Sequence, residues 1–205
     1  VKEIFLVTED RKFYDHSGVD YKSVVRALIE LIKNDGAITQ GGSTITQQLA
    51  KQLFSEKAHN KIERLLQKPI EWVIAIKLER YFTKEDIITM YLNYFDFLHN
   101  AVGIKRASNV YFAKEPHRLS LTESATLIGL CKNPSLFNPL KYPERCLERR
   151  NVVLGQMVKS GYLTQAEYDH YAAMPLDVEY HKSTVVEGDG DYFKEFLRQY
   201  MMAEK

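Results

Sequence analysis

Apolar side chains recur every three or four residues through most of this chain, a period typical of amphipathic helices. Capping residues at the ends of these runs set the boundaries. The pattern predicts helices over residues 4–16, 20–34, 44–54, 61–81, 83–94, 120–130 and 143–159, and a further helix that begins at Thr164. Only residues 176–186, rich in Val, Tyr and Thr, lean toward a strand. The sequence therefore predicts a mainly α fold.

Hydroxyl and acidic residues three positions apart mark several helix starts as capping boxes. These pairs are Thr83 with Asp86, Ser120 with Glu123, and Thr164 with Glu167. Pro69 predicts a bend within the helix over residues 61–81, because proline lacks a backbone N–H and crowds the preceding turn. The polar, aperiodic residues 55–60 predict a mobile loop.

Residues 39–51 join a glycine turn to a helix start that carries polar side chains. If Ser43 or Thr44 caps this helix, Ser43, Gln47 and Lys51 share one face and Ile45, Leu49 and Leu53 share the opposite one. Free N–H groups and the positive end of the helix dipole suit a phosphate or sugar-phosphate. On spacing alone, an ordinary solvated helix face explains the pattern equally well.

Charge and cysteine content narrow the classes of function. The 205 residues carry 28 Lys and Arg against 27 Asp and Glu, so no bulk charge favours nucleic acid. Cys131 and Cys146 form no CxxC pattern, and Cys131 lies in an apolar run where a buried free thiol is expected. No apolar stretch approaches the roughly 20 residues that span a bilayer. Because the chain opens on amphipathic sequence without an initiator Met, we expect a targeting segment to lie outside it.

Two carboxylates stand out as candidates for chemistry. In the predicted first helix Glu9 shares a face with Phe13 and His16, where a desolvated carboxylate could act as a base. A solvated surface acid is the commoner explanation of such a residue. Glu71 follows Arg64 and Lys68 at helical spacing, as expected where a pyrophosphate or its metal is held. An ordinary ion pair within the helix is the alternative.

The spacing of residues in the glycine-rich stretch excludes two other interpretations, a nucleophilic serine and a P-loop. Ser43 lacks the GxSxG turn that exposes a nucleophilic serine. Gly41-Gly42-Ser43-Thr44 lacks the GxxxxGK[ST] spacing of a phosphate-binding P-loop.

Taken in order, five stretches resemble the motifs of the peptidoglycan glycosyltransferases (glycosyltransferase family 51). These stretches are residues 9–18, 41–51, 68–71, 91–93 and 107–112. The family comprises the membrane-linked domain of class A, bifunctional penicillin-binding proteins and a set of monofunctional enzymes. Residues 128–134 and 149–154 extend the likeness, which covers roughly residues 3–176. The first two motifs together are highly specific.

The resemblance implies a fold and a division into domains. The fold would be a lysozyme-like helical core with a smaller membrane-facing lobe. Residues 1–176 would form the glycosyltransferase domain, whose N-terminal transmembrane anchor lies outside this chain, and residues 177–205 would begin a linker toward a transpeptidase domain. Because the chain contains no SxxK motif, we expect it not to bind penicillin.

The resemblance also implies a reaction. The enzyme would polymerise lipid II with inversion and release undecaprenyl pyrophosphate, with Glu9 and Glu71 as catalytic residues. Glu9 would be the general base, and Glu71 would orient the pyrophosphate or hold a divalent cation, Mg²⁺ or Mn²⁺. No organic cofactor is expected. Substrate-binding roles are implied for Asp10, Phe13, His16, Arg26, Gly42, Ser43, Thr44, Gln47, Gln48, Lys51, Arg64, Lys68, Tyr91 and Asn93.

The implied partners are lipid II, the growing glycan, the membrane and other cell-wall synthesis proteins, with no nucleic acid. The implied location is the periplasmic side of a bacterial inner membrane. The sequence departs from the family pattern at Gln52, Gln67 and residues 94–98, and it has Ala113 in place of a common Gly; these departures bear on the pyrophosphate contacts. Two alternatives stay open, a lytic muramidase-like enzyme and a catalytically degenerate module that only binds lipid II.

Overall fold

A computed structural model of the protein describes residues 1–33, 42–54 and 60–181, and most of these residues lie in helices. The helices are α1 (Lys2–Glu9), α2 (Tyr21–Lys33), α3 (Ile45–Phe54), α4 (Lys61–Tyr81), α5 (Lys84–Tyr94), α6 (Ile104–Phe112), α7 (Leu121–Leu130), α8 (Pro143–Lys159) and α9 (Gln165–Ala173). Short 3₁₀ turns cover Phe13–Asp15 and Pro116–Arg118. Within the described ranges the β pairing is a single bridge between Asp96 and Val102. The mainly α prediction is confirmed.

The described residues form two compact units. The first contains residues 1–11 and 92–181, and the second contains residues 12–33, 42–54 and 60–91. The chain passes between the units within its first loop and again within α5. None of the helices in the described part combines the length and apolar content that crossing a bilayer requires.

Helix α7 is the centre of the first unit, because its residues from Glu123 to Leu130 are all buried. Helix α8 packs along it, and α1 packs against both. At Gly129 an added Cβ would lie 3.2 Å from Cγ of Arg149 and 3.8 Å from the α8 backbone, so a side chain there would crowd the Arg149 side chain. Cys131 and Cys146 are buried free thiols in this unit, as predicted for Cys131.

The predicted helix caps are confirmed. Ser120 with Glu123, and Thr164 with Glu167, form reciprocal capping boxes at the starts of α7 and α9. Thr83 accepts a hydrogen bond from the Asp86 N–H through its hydroxyl, and its own N–H donates to the Asp86 carboxylate, which completes a box at α5. Since each box satisfies two backbone donors locally, the boundaries of these helices follow from short sequence signals.

Arg150, a residue of α8, hydrogen-bonds to the C-terminal end of α9. Its side chain is buried, and its guanidinium donates to four backbone carbonyls. These carbonyls belong to Tyr171, Ala172, Met174 and Pro175. The last carbonyls of a helix have no partner within the helix, so Arg150 supplies hydrogen bonds that α9 cannot make for itself.

In the second unit, α3 packs against α4, which runs through Pro69 with the predicted bounds. Ile45 and Leu49 of α3 are fully buried. The loop that follows the 3₁₀ turn approaches α4 at Gly18, where φ is +91° and an added Cβ would lie 2.7 Å from the Ala75 carbonyl oxygen. Glycine tolerates this left-handed backbone conformation, and the missing side chain permits the close approach.

Two predictions about regular structure are wrong. The first helix ends at Glu9 rather than near residue 16, because Asp10 leaves the helical conformation at φ −158° and ψ 82°, and Phe13 begins a separate 3₁₀ turn. Residues 176–181 form no strand; instead the N–H groups of Glu179 and His181 donate to the carbonyls of Tyr111 and Val110 at the end of α6. The predictions for residues 34–41, 55–59 and 182–205 lie outside the described residues.

Candidate active site

Glu9 is the last residue of α1, where the helix delivers its carboxylate next to α8. The nearest Arg149 nitrogen, Nη2, lies 3.6 Å from Glu9 Oε1, and both side chains are largely buried. Arg149 also donates from Nε to the Gly129 carbonyl and faces the Phe137 ring at 5.8 Å. Arg11 ties the end of α1 to α8 by donating to the Gln156 side chain at 2.7 Å. These contacts place the Glu9 carboxylate beside the Arg149 guanidinium.

Arg149 and Cys131 are two titratable groups whose pKa values respond to the charge of Glu9. Burial lowers the pKa of the Arg149 guanidinium, and the negative charge of Glu9 acts in the opposite direction. Burial, with a smaller contribution from Glu9, raises the pKa of the Cys131 thiol well above its usual value. At neutral pH Glu9 therefore has a cation on one side and an uncharged thiol nearby. A carboxylate held in this way can accept a proton from a hydroxyl that is brought to it.

Lys68 links two of the predicted site residues in the second unit. Its Nζ donates to Ser43 Oγ at 3.0 Å and lies 3.1 Å from Glu71 Oε2. The Glu71 side chain is 0% exposed and that of Lys68 is 29% exposed. A cation shared between a hydroxyl and a buried carboxylate, with part of its surface open to solvent, can bind an anionic oxygen such as that of a phosphate.

Thr44 forms the start of α3. Its hydroxyl accepts the N–H of Gln47 at 3.1 Å and donates to the Gly18 carbonyl at 2.6 Å. The first contact caps the helix, and the second joins α3 to the loop that carries His16. Thr44 is therefore the capping residue of the two that the sequence offered, while Ser43 contacts Lys68.

The prediction that Gln47 and Lys51 share a polar face with Ser43 is only partly reproduced. Gln47 is 1% exposed, and its Nε2 is buried without a hydrogen-bond partner in the described structure, whereas Lys51 is exposed. Gln48 follows Gln47 in α3, and its Oε1 accepts a hydrogen bond from the Tyr91 hydroxyl at 3.0 Å. The helix is buried around more of its circumference than a two-faced pattern implies, because α4 covers part of it.

The first motif is divided between the two units. Glu9 and the half-buried Asp10 belong to the first unit, and Phe13 and His16 belong to the second. Phe13 is fully buried beneath the ammonium group of Lys84, which lies 4.3 Å from the ring centroid. Nδ1 of His16 accepts the N–H of Gly18 at 3.2 Å, so the proton of a neutral ring lies on Nε2.

The remaining predicted residues occupy varied positions. Arg26 is exposed on α2 and donates to Ser23 at 3.3 Å. Gly42 is half-buried ahead of α3, Tyr91 is fully buried and Asn93 is exposed. Arg64 lies on α4, and its side chain is outside the described part, so its implied role in substrate binding stays a prediction.

The sequence patterns did not single out three side chains that the structure places against site residues. Arg149 contacts Glu9, and Lys84 with Glu79 supports the segment of Phe13 and His16. Each acts on residues distant in the chain, so helical spacing carries no signal for it. Arg149 had one available clue, since it lies in the stretch over residues 149–154 that extends the family resemblance.

A metal site built from protein ligands alone is not evident. Within the described residues no group of three or more His, Cys, Asp or Glu side chains is arranged to hold a metal ion. Glu71 offers one carboxylate, which is already close to Lys68. Mg²⁺ commonly takes only one or two carboxylates from the protein and other oxygens from substrate phosphates, so this site would need a substrate to complete it.

Comparison with known proteins identifies the family. The sequence model described as transglycosylase matches residues 1–158. The chain belongs to the transglycosylase family, the peptidoglycan glycosyltransferase domain of class A penicillin-binding proteins. Family membership confirms the predicted enzyme class, and it supports the lysozyme-like helical core. The comparisons favour neither the lytic nor the binding-only alternative.

Several curated relatives of this transglycosylase domain are bacterial penicillin-binding proteins. The chain is 42% identical over 198 residues to penicillin-binding protein 1A of Aquifex aeolicus, covering 96% of this chain and 26% of that protein. It is 44% identical over 167 residues to penicillin-binding protein 1F of Bacillus subtilis, covering 82% and 23%. It is 39% identical over 198 residues to penicillin-binding protein 1A of Escherichia coli, covering 96% and 22%.

The transglycosylase chain spans about a quarter of the length of the curated relatives it matches. Among solved structures, a 2.6 Å crystal structure of penicillin-binding protein 1A from Haemophilus influenzae matches with a TM-score of 0.46 and 29% identity. That match covers 77% of this chain and 20% of the crystallised one.

Proposed function

We propose that this transglycosylase domain polymerises lipid II into glycan strands, inverting the anomeric centre and releasing undecaprenyl pyrophosphate. The observation that supports this proposal most directly is the position of Lys68, whose partly exposed ammonium group contacts both Ser43 and buried Glu71 and can donate to a pyrophosphate oxygen. Such a position fits a reaction whose leaving group is a pyrophosphate.

In the proposed reaction Glu9 removes the proton from the 4-hydroxyl of the lipid II GlcNAc as that oxygen attacks C1 of the MurNAc at the end of the growing glycan. The bond from C1 to the pyrophosphate oxygen breaks, and the electron pair leaves with undecaprenyl pyrophosphate. Arg149 holds the Glu9 carboxylate in place, and Lys68 stabilises the charge that develops on the leaving group. Chemically, a sugar hydroxyl takes the position that water has in an inverting hydrolase.

We assign the other predicted residues to substrate binding. Ser43, Gln47, Gln48 and Lys51 would bind the donor sugar and phosphates, with Asp10, Phe13, His16, Arg26, Gly42, Thr44, Arg64, Tyr91 and Asn93 completing or supporting the site. If a divalent cation takes part, Glu71 would be its protein ligand and pyrophosphate oxygens would supply the others, which would offset negative charge on the leaving group.

We also propose the wider setting. Residues 1–176 would act as the catalytic domain and residues 177–205 as the start of a linker in a longer protein. A membrane anchor outside this chain, and the polyprenyl tail of the substrate, would keep the domain at the outer face of the bacterial inner membrane beside other cell-wall synthesis proteins.

Incubation of the domain with lipid II, detergent and Mg²⁺ or Mn²⁺ tests the proposal. Glycan polymer and undecaprenyl pyrophosphate should appear together, and the Glu9→Gln variant should retain its fold and form no polymer. Release of soluble muropeptides from purified sacculi would instead indicate lytic cleavage. Lipid II binding by a folded sample, without pyrophosphate release under any of these conditions, would overturn the proposal in favour of a binding module.

A further inference from the structure

Lys84 of α5 lies at the centre of a polar cluster in the second unit. Its Nζ donates to the His16 carbonyl at 2.6 Å and lies 2.7 Å and 2.6 Å from the two carboxylate oxygens of Glu79. The same ammonium group lies over the Phe13 ring. One cation therefore contacts a backbone carbonyl, a carboxylate and an aromatic face, and two of these groups, the His16 carbonyl and the Phe13 ring, belong to the first motif.

Glu79 extends this cluster to the second motif. Its Oε1 accepts the hydroxyl of Thr46 at 2.6 Å, and Thr46 is fully buried in α3 next to Gln47. Hydrogen bonds thus run from α3 through Glu79 and Lys84 to His16. Two segments that bear predicted substrate-binding residues, and that are distant in sequence, are connected through one charge pair.

The chemistry of this charge pair argues for a role beyond stability. The Lys84 and Glu79 side chains are 20% and 7% exposed, so both ions have lost most of their hydration. Well-packed apolar residues often stabilise such a position at least as well as an ion pair does. A fully hydrogen-bonded charge pair adds directional contacts, and these fix the positions of the groups at its ends.

We propose that Lys84 and Glu79 are positioning residues, which hold the segment of Phe13 and His16 in a fixed relation to the start of α3. This inference rests on the proposed function for its effect on catalysis. Neither residue contacts Lys68, Ser43 or Glu71 in the described structure, so their removal should disturb substrate binding more than the chemical step.

The test compares Lys84→Met with Lys84→Arg and with a matched control. Lys114→Met is that control, because Lys114 forms a 2.6 Å salt bridge with Glu123 in the first unit and contacts no predicted substrate-binding residue. For Lys84→Met we expect KM for lipid II to rise about tenfold while kcat changes less than about threefold. Lys84→Arg should restore most of the lost affinity, and Lys114→Met should leave KM unchanged even where it lowers the melting temperature.

Amide hydrogen exchange provides a readout that does not depend on activity. Lys84→Met should increase exchange within residues 13–18 and 44–48, and Lys114→Met should not. If Lys84→Met fails to fold, Glu79→Gln serves in its place, since it removes the charge and keeps an acceptor for Thr46. Unchanged KM and unchanged exchange in a folded variant, or an equal KM rise in Lys114→Met, would overturn the positioning role. An inactive wild-type domain would overturn the proposed function alone, and hydrogen exchange would still decide the role of Lys84.

Discussion

Arg149 Nη2 lies 3.6 Å from Glu9 Oε1, and this pair joins α8 to the end of α1. Removing the guanidinium takes away the cation beside this carboxylate, so Arg149→Met should lower the initial rate of lipid II polymerisation by about 100-fold. Arg145→Met is the control, because Arg145 is exposed one turn earlier on α8 and stacks on Tyr142 instead. A folded Arg149→Met variant with the wild-type rate would contradict this role.

The Lys68→Met variant separates the structural role of Lys68 from its role in the reaction, because Lys68 contacts both Ser43 and Glu71. Because Glu71 is fully buried, loss of its neighbouring cation should lower the free energy of unfolding by about 1–3 kcal/mol, measured by urea denaturation. The double variant Lys68→Met with Glu71→Leu should recover stability, since the buried carboxylate is no longer present. Neither the single nor the double variant should form glycan. A stable and active double variant would exclude both residues from the reaction.

Thr44→Val should lower the free energy of unfolding by about 1–2 kcal/mol, because it removes the cap of α3. The same change removes the hydrogen bond to the Gly18 carbonyl. Thr44→Ser keeps the hydroxyl and serves as the control in the same denaturation series. Equal stability of the Val and Ser variants would mean that the hydroxyl contributes nothing to the start of this helix.

Alkaline pH should destabilise the protein through its buried thiols. Burial raises the pKa of Cys146 from 9.0 to about 12, so the folded state retains a proton that the unfolded state loses. This contribution to stability is complete below pH 9 and is lost as pH rises toward 12, at up to about 1.4 kcal/mol per pH unit for one such group.

Cys146→Ala should reduce this alkaline slope when the free energy of unfolding is measured between pH 8 and 11. Some slope should remain, because burial also raises the pKa values of Cys131 and Tyr111. An unchanged slope in Cys146→Ala would show that this thiol does not titrate differently in the folded and unfolded states.

Local sequence signals predicted most of the helix boundaries. Capping boxes at Ser120 and Thr164 lie within four residues of the backbone groups they satisfy, so their geometry follows from the sequence itself. The prediction for the first helix was wrong because the apolar and aromatic spacing continues past the residue at which the helix ends. Asp10 leaves the helical conformation there, and helical periodicity carries no information about that change.

The partners of the candidate site residues could not be predicted from spacing. The contact of Glu9 with Arg149, and that of His16 with Lys84, join residues far apart in the chain. Such pairs depend on how helices pack, whereas periodicity reports only which side of one helix is apolar. The burial of Gln47 was missed for the same reason, because an amphipathic pattern does not reveal how much of α3 its neighbour covers.

The hydrogen bonds of Arg150 bear on where this domain can be cut for expression. The family match stops at residue 158, yet the buried guanidinium depends on carbonyls as far along as Pro175. A shortened gene that ended near the match boundary would remove those acceptors together with α9, and it would expose the surface of α8 that α9 covers. A stop codon placed after residue 175 keeps all four acceptors, and expression trials of the isolated domain should begin from that boundary.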